Sequence, residues 1–94
     1  MALFVVQHKH QAATCPAANA EMAPQLLRLL ASGPRQGVNI RAEAVVDGAH
    51  ELNLIVDAAS ASVVEQFMAP FAQMGSVTVR AASVCETVVE RGAC

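Results

Sequence analysis

The residues with the greatest capacity for chemistry lie in one short stretch. Phe4-Val5-Val6-Gln7-His8-Lys9-His10 is followed by a polar segment leading to Cys15-Pro16. Imidazole and thiolate are good ligands for borderline and soft transition metals such as Zn, Ni or Cu. In an extended strand, residues two apart leave the same face, so His8 and His10 point one way, roughly 7 Å apart. Cys15 follows on a loop from which it can close back on the pair. His8, His10 and Cys15 are therefore the candidate metal ligands, with Met22, His50 or Cys94 available to complete the coordination from another element or subunit. The spacing is neither that of a zinc finger nor that of an HExxH helix. A second use of the same residues is thiol chemistry. Cys15 ahead of a helix N-terminus would be activated by the helix dipole, with Cys94 as a resolving partner. The bland alternative is a polar strand end and three ordinary thiols in a reducing compartment.

The elements that must hold these side chains can be read from periodicity. Leu3 to Val6 is an unbroken apolar run, the pattern of a strand buried on both faces. Gln11 to Ala18 is a loop, and Pro16 keeps Cys15 out of helical geometry. Asn19 is a helix N-cap, although Pro24 moves the first full turn toward Met22 or Ala23. Met22, Leu26, Leu29 and Leu30 then form a helical stripe, ended by Ser32-Gly33-Pro34. Gly37 to Val46 reads as a second strand, with Val38, Ile40, Ala42 and Ala44 on one side and Asn39, Arg41, Glu43 and Val45 on the other. Asp47-Gly48 signals a hairpin into a third strand, His50 to Asp57. Ser60 or Ser62 caps a second helix, Ser62-x-x-Glu65 matching a capping box, with Val64, Phe67, Met68 and Phe71 inward. Pro70 should kink or shorten that helix. Ser76 to Ala82 is a fourth strand, and a short tail helix closes at Gly92.

The order β-α-β-β-α-β predicts an α+β, ferredoxin-like domain spanning residues 1–94, with its core in 2–82 and a tail in 83–94. Two helices should cover one face of a four-stranded antiparallel sheet. The other face would carry Asn39, Arg41, Glu43, Glu51, Asn53, Ile55, Thr78 and Arg80. That mixture is a solvated face or the lining of a cavity formed when two sheets pack. A further reading is a small-molecule site between sheet and helices, in which Arg41, Glu43, Glu51, Asn53 and Arg80 would orient a polar substrate, with His8 or His10 as general base.

Composition narrows the function classes. Hydrophobic residues make up 54% of the chain and charged residues 15%, so part of the apolar surface is expected to be covered in a homodimer. Six Lys+Arg, a net charge of −2 and no Trp or Tyr argue against nucleic acid. No apolar run approaches the roughly 20 residues of a membrane helix. Leu3–Val6 has neither the length nor the cationic flank of a signal peptide, and with an odd number of cysteines a cytoplasmic location is expected.

The chain resembles the dimeric α+β barrel superfamily over residues 2–82. The likeness rests on topology, on the opening Leu3-Phe4-Val5-Val6-Gln7-His8-Lys9-His10, and on Glu51–Ser60 running into Ala61–Met74 and Ser76–Val79. It is similar to small bacterial proteins of that superfamily, which includes nickel-binding, muconolactone-isomerase-like and monooxygenase-like groups. The resemblance implies architecture; the fold hosts unrelated activities, and no catalytic motif carries over to these positions. It implies nothing for Cys85 or Cys94. The expected function is binding of a transition metal through His8, His10 and Cys15. The alternatives are a cofactor-independent enzyme or small-ligand binder, and a thiol redox or sulfur-handling protein.

Overall fold

Residues 1–94 are described by a computed structural model. Strand β1 (Ala2–Lys9) leads through two 3-10 turns (Ala12–Thr14 and Pro16–Ala18) to helix α1 (Met22–Ala31). A further 3-10 turn, Gly33–Gln36, precedes β2 (Asn39–Val46) and β3 (Glu51–Ala58). Helices α2 (Ala61–Phe67) and α3 (Ala69–Ala72), strand β4 (Ser76–Ala82) and helix α4 (Cys85–Arg91) complete the chain. The strands form one antiparallel sheet in the order β2-β3-β1-β4. The protein is thus α+β with a four-stranded antiparallel sheet, an arrangement compatible with a ferredoxin-like fold. No helix is long and apolar enough to cross a membrane.

The core lies on one face of the sheet. Phe4 and Val6 of β1 and Leu52, Leu54 and Val56 of β3 meet Val64 and Phe67 of α2, Met68 at the junction and Phe71 of α3, all buried. Ser60 caps α2 by accepting a hydrogen bond from the Val63 N–H at 3.4 Å, so the box expected from Ser62 does not form. Pro70 divides the second helical segment, as its missing N–H demands. Asn19 accepts from the N–H groups of Glu21 and Met22 at 2.9 and 3.1 Å, and α1 starts at Met22 with Pro24 harmless in its first turn. None of the residues of α1 is fully buried. Leu26, Leu29 and Leu30 only lean on the core, and Leu27 is 66% exposed.

Three sequence expectations are corrected. Strand β1 is buried on one face only; Leu3, Val5 and Gln7 remain half-buried on the other. Strand β2 does not alternate throughout. Its register against β3 jumps between Ile40↔Val56 and Ala42↔Ile55, which makes Arg41 the extra residue of a bulge. Beyond it Glu43 and Val45 pair with Leu54 and Leu52 on the helix side, while Ala42 and Ala44 share the open face with Ile55 and Asn53. Finally, the β2–β3 connection is Asp47–His50 rather than a two-residue turn, and β3 begins at Glu51. His50 sits in this turn with φ 51°, beside Gly48 at φ 75°.

Candidate metal centre

Each histidine is placed by a different local device. His8 lies on the buried side of β1, opposite Leu52 and Val77, and is 2% exposed. His10 follows the end of β1, and its N–H donates to the His50 carbonyl at 3.2 Å. That bond ties the strand end to the β2–β3 turn. The left-handed backbone at His50 is uncommon outside glycine and costs on the order of 1 kcal/mol. Here it keeps the ring on the same side as Leu52. Cys15 adopts extended geometry (φ −62°, ψ 116°) ahead of buried Pro16, between the two 3-10 turns. Only a three-residue turn follows it, so the helix dipole expected to activate the thiol is not at hand.

The three rings form a row. His8 and His10 stack with centroids 5.3 Å apart, and His10 meets His50 edge-on at 5.2 Å. His8 also meets the Phe71 ring edge-on at 5.3 Å. One donor atom each from His10, Cys15 and His50 lie within 4.8 Å of one another. Ligands of one tetrahedral zinc sit about 3.3–3.8 Å apart, given bonds of about 2.0–2.3 Å. Side-chain movements of roughly 1 Å would close this set around an ion. The donor chemistry agrees: both ring nitrogens of His10 are buried with no hydrogen-bond partner, as is Nε2 of His8. Leaving such atoms unpaired costs about 1–3 kcal/mol each. The pKa of His8 is lowered by burial and by the neighbouring His10, against a weaker upward pull from the Phe71 main chain. That of His10 is lowered by burial and by His50. Both shifts favour the uncharged imidazole, the state a metal requires.

The same rings line a cavity of about 350 Å³ between the sheet and α1. Leu26, Leu27 and Leu30 of α1, Leu52 of β3 and Phe71 of α3 supply apolar walls, and Glu43 and Asp47 approach from the β2 end. The space exists because α1 does not seat fully on the sheet.

Of the expected ligands, His10 and Cys15 fall in the close cluster. His8 stands one ring away, and the third member is His50, which sequence reasoning had only as a reserve. Its alternation with Leu52 and Leu54 was the available signal. Cys85 and Cys94 are exposed and outside the cluster. Of the expected ligand-binding residues, Asn53 and Arg80 lie on the open face and Glu43 lies on the cavity side. Arg41 bonds Asp57 at 2.6 Å, and Asn53 links Gln7 with Glu51. Arg80 lies opposite Val5 on the open face, whereas Glu43 faces the cavity because of the bulge. No protein-family model matches the chain, and no curated protein matches it.

Proposed function

We propose that this protein binds a transition metal of borderline or soft character (Zn, Ni or Cu) through His10, Cys15 and His50. The observation that carries the reading is the convergence of two imidazoles and a thiol within 4.8 Å, from three separate segments, with both nitrogens of one ring buried and unpartnered. Two further features support it. Burial lowers the pKa of both His8 and His10, which favours the neutral ring, and the exposed carboxylates Glu43 and Asp47 lie at the cavity edge, where they would draw a cation inward. Three protein ligands leave one position of a tetrahedral ion open, as in catalytic rather than structural sites.

The reading extends to architecture. The fold is proposed to be ferredoxin-like, supported by β3 lying between β1 and β2, and β1 between β3 and β4, as two split β-α-β units require. The proposed assembly is a homodimer through the uncovered sheet face. The deciding experiment is elemental analysis and metal titration of the purified chain. One metal ion per chain is expected, lost in His10→Ala and in His50→Ala; metal binding unchanged in both variants would defeat the proposal.

A further inference from the structure

The metal reading leaves two features of the site unused: the apolar cavity and His8. His8 is 2% exposed, yet its Nε2 has no hydrogen-bond partner and the residue lines the cavity. It lies outside the three-residue ligand cluster while its ring stacks on that of His10, 5.3 Å between centroids. His8, His10, Cys15 and His50 line one cavity, so a molecule held there has both His8 and the ligand set within its walls. Nε2 is the His8 ring atom that is buried without a hydrogen-bond partner. In the tautomer with its N–H on Nδ1, the ring offers Nε2 as an acceptor. The walls beyond it are Leu26, Leu27, Leu30, Leu52 and Phe71. A volume of about 350 Å³ lies at the small end of ligand pockets, room for one ring or a short alkyl chain.

We propose that the cavity binds a small molecule with an apolar body and a head group that coordinates the metal through oxygen and donates a hydrogen bond to His8 Nε2. Alcohols and hydroxamic acids have such heads. His8 is then a ligand-binding residue rather than a metal ligand. This rests on the metal reading above, and the experiment separates the two.

The protein is loaded with Co(II), whose visible spectrum reports changes in coordination, and titrated with benzohydroxamic acid and with benzoate, which has no proton to offer at neutral pH. Both probes should shift the spectrum. His8→Phe should keep its Co(II), bind benzohydroxamic acid roughly tenfold more weakly, the size of one lost buried hydrogen bond, and bind benzoate as before. Leu27→Trp, a change at an exposed position on the cavity wall, should retain the metal and exclude both probes. If the metal binds but neither probe perturbs it, the cavity proposal is overturned and the metal reading stands. Loss of Co(II) in His8→Phe would make His8 a ligand and overturn its assignment here, as would equal weakening of both probes. Absence of metal from the parent protein would overturn both readings together.

Discussion

At the scale of single residues, the site is a set of compromises between burial and ligation. His8 and His10 have lowered pKa values because a charged ring would lose hydration and face another imidazole. The sign of the consequence follows from linkage. Above the ordinary value of 6.5 both folded and unfolded chains hold neutral rings, and these residues contribute nothing to pH dependence. As pH falls below that value, the unfolded chain takes up protons first, so stability is lost until the folded rings titrate as well. The metal-free protein should therefore melt at a lower temperature at about pH 5.5 than at about pH 7.5, with a shallower dependence in His8→Phe. Thermal melts across that range check it. His50 offers a second test, because its φ of 51° favours glycine. His50→Gly should be neutral or stabilising by up to about 1 kcal/mol in denaturant titration, whereas His50→Ala should be destabilised by comparison. Both should lose the metal. A residue held in strained geometry and gaining stability when replaced is one retained for its side chain.

At the scale of elements, close approaches fix where the ligands end up. A Cβ on Gly75 would lie 2.0 Å from the Lys9 carbonyl oxygen, so β4 can begin beside the end of β1 only with glycine there. Gly75→Ala should displace Lys9 and His10, lower stability by about 1–3 kcal/mol and weaken metal binding, all measurable in one chemical-denaturation and titration series. Much of this framework was legible beforehand. β4 was read with its observed bounds, the break at Pro70 follows from its missing N–H, and the inward face of the second helical segment followed from its 3.6-residue period. The bulge at Arg41 was not legible, for a physical reason. Arg41-Ala42-Glu43-Ala44 carries small or charged side chains on both faces and is exposed throughout, so no hydrophobic pattern pins its register. Glu43 consequently moved from the open face to the cavity. The helix-turn spacing before α1 was equally silent, because 3-10 turns have no strong sequence period. The site's third ligand was half legible: alternation put His50 on the correct side, but the turn that aims it depends on a left-handed residue that no spacing announces.

At the scale of the whole molecule, the sheet has one finished face and one unfinished face. Only 14 of 94 residues are buried, a small core for a chain of this length. Across the open face, Val5 sits between Ile55 and Arg80, and Leu3 lies beside Ala82. Ile55 is 42% exposed there, and Val46 of β2 is 46% exposed. Two of the flanking charge pairs are closed within the chain, Arg41 with Asp57 and Lys9 with Glu51 at 3.7 Å, while Arg80 stands beside Val5 without an ion-pair partner. A second copy presenting the same surface across a two-fold axis would supply the missing layer, with the sheets about 10 Å apart. The protein should accordingly sediment as a dimer. Val5→Lys, in the middle of β1 and opposite Arg80, would bury uncompensated positive charge from both copies at such an interface and should shift the mass to that of a monomer, with some loss of thermal stability. Because Val5 and the metal cluster leave opposite sides of the sheet, the monomeric variant should still bind one metal ion per chain. A variant that stays dimeric would place the contact elsewhere, and one that becomes monomeric and loses the metal would mean that the partner helps to hold the site in shape.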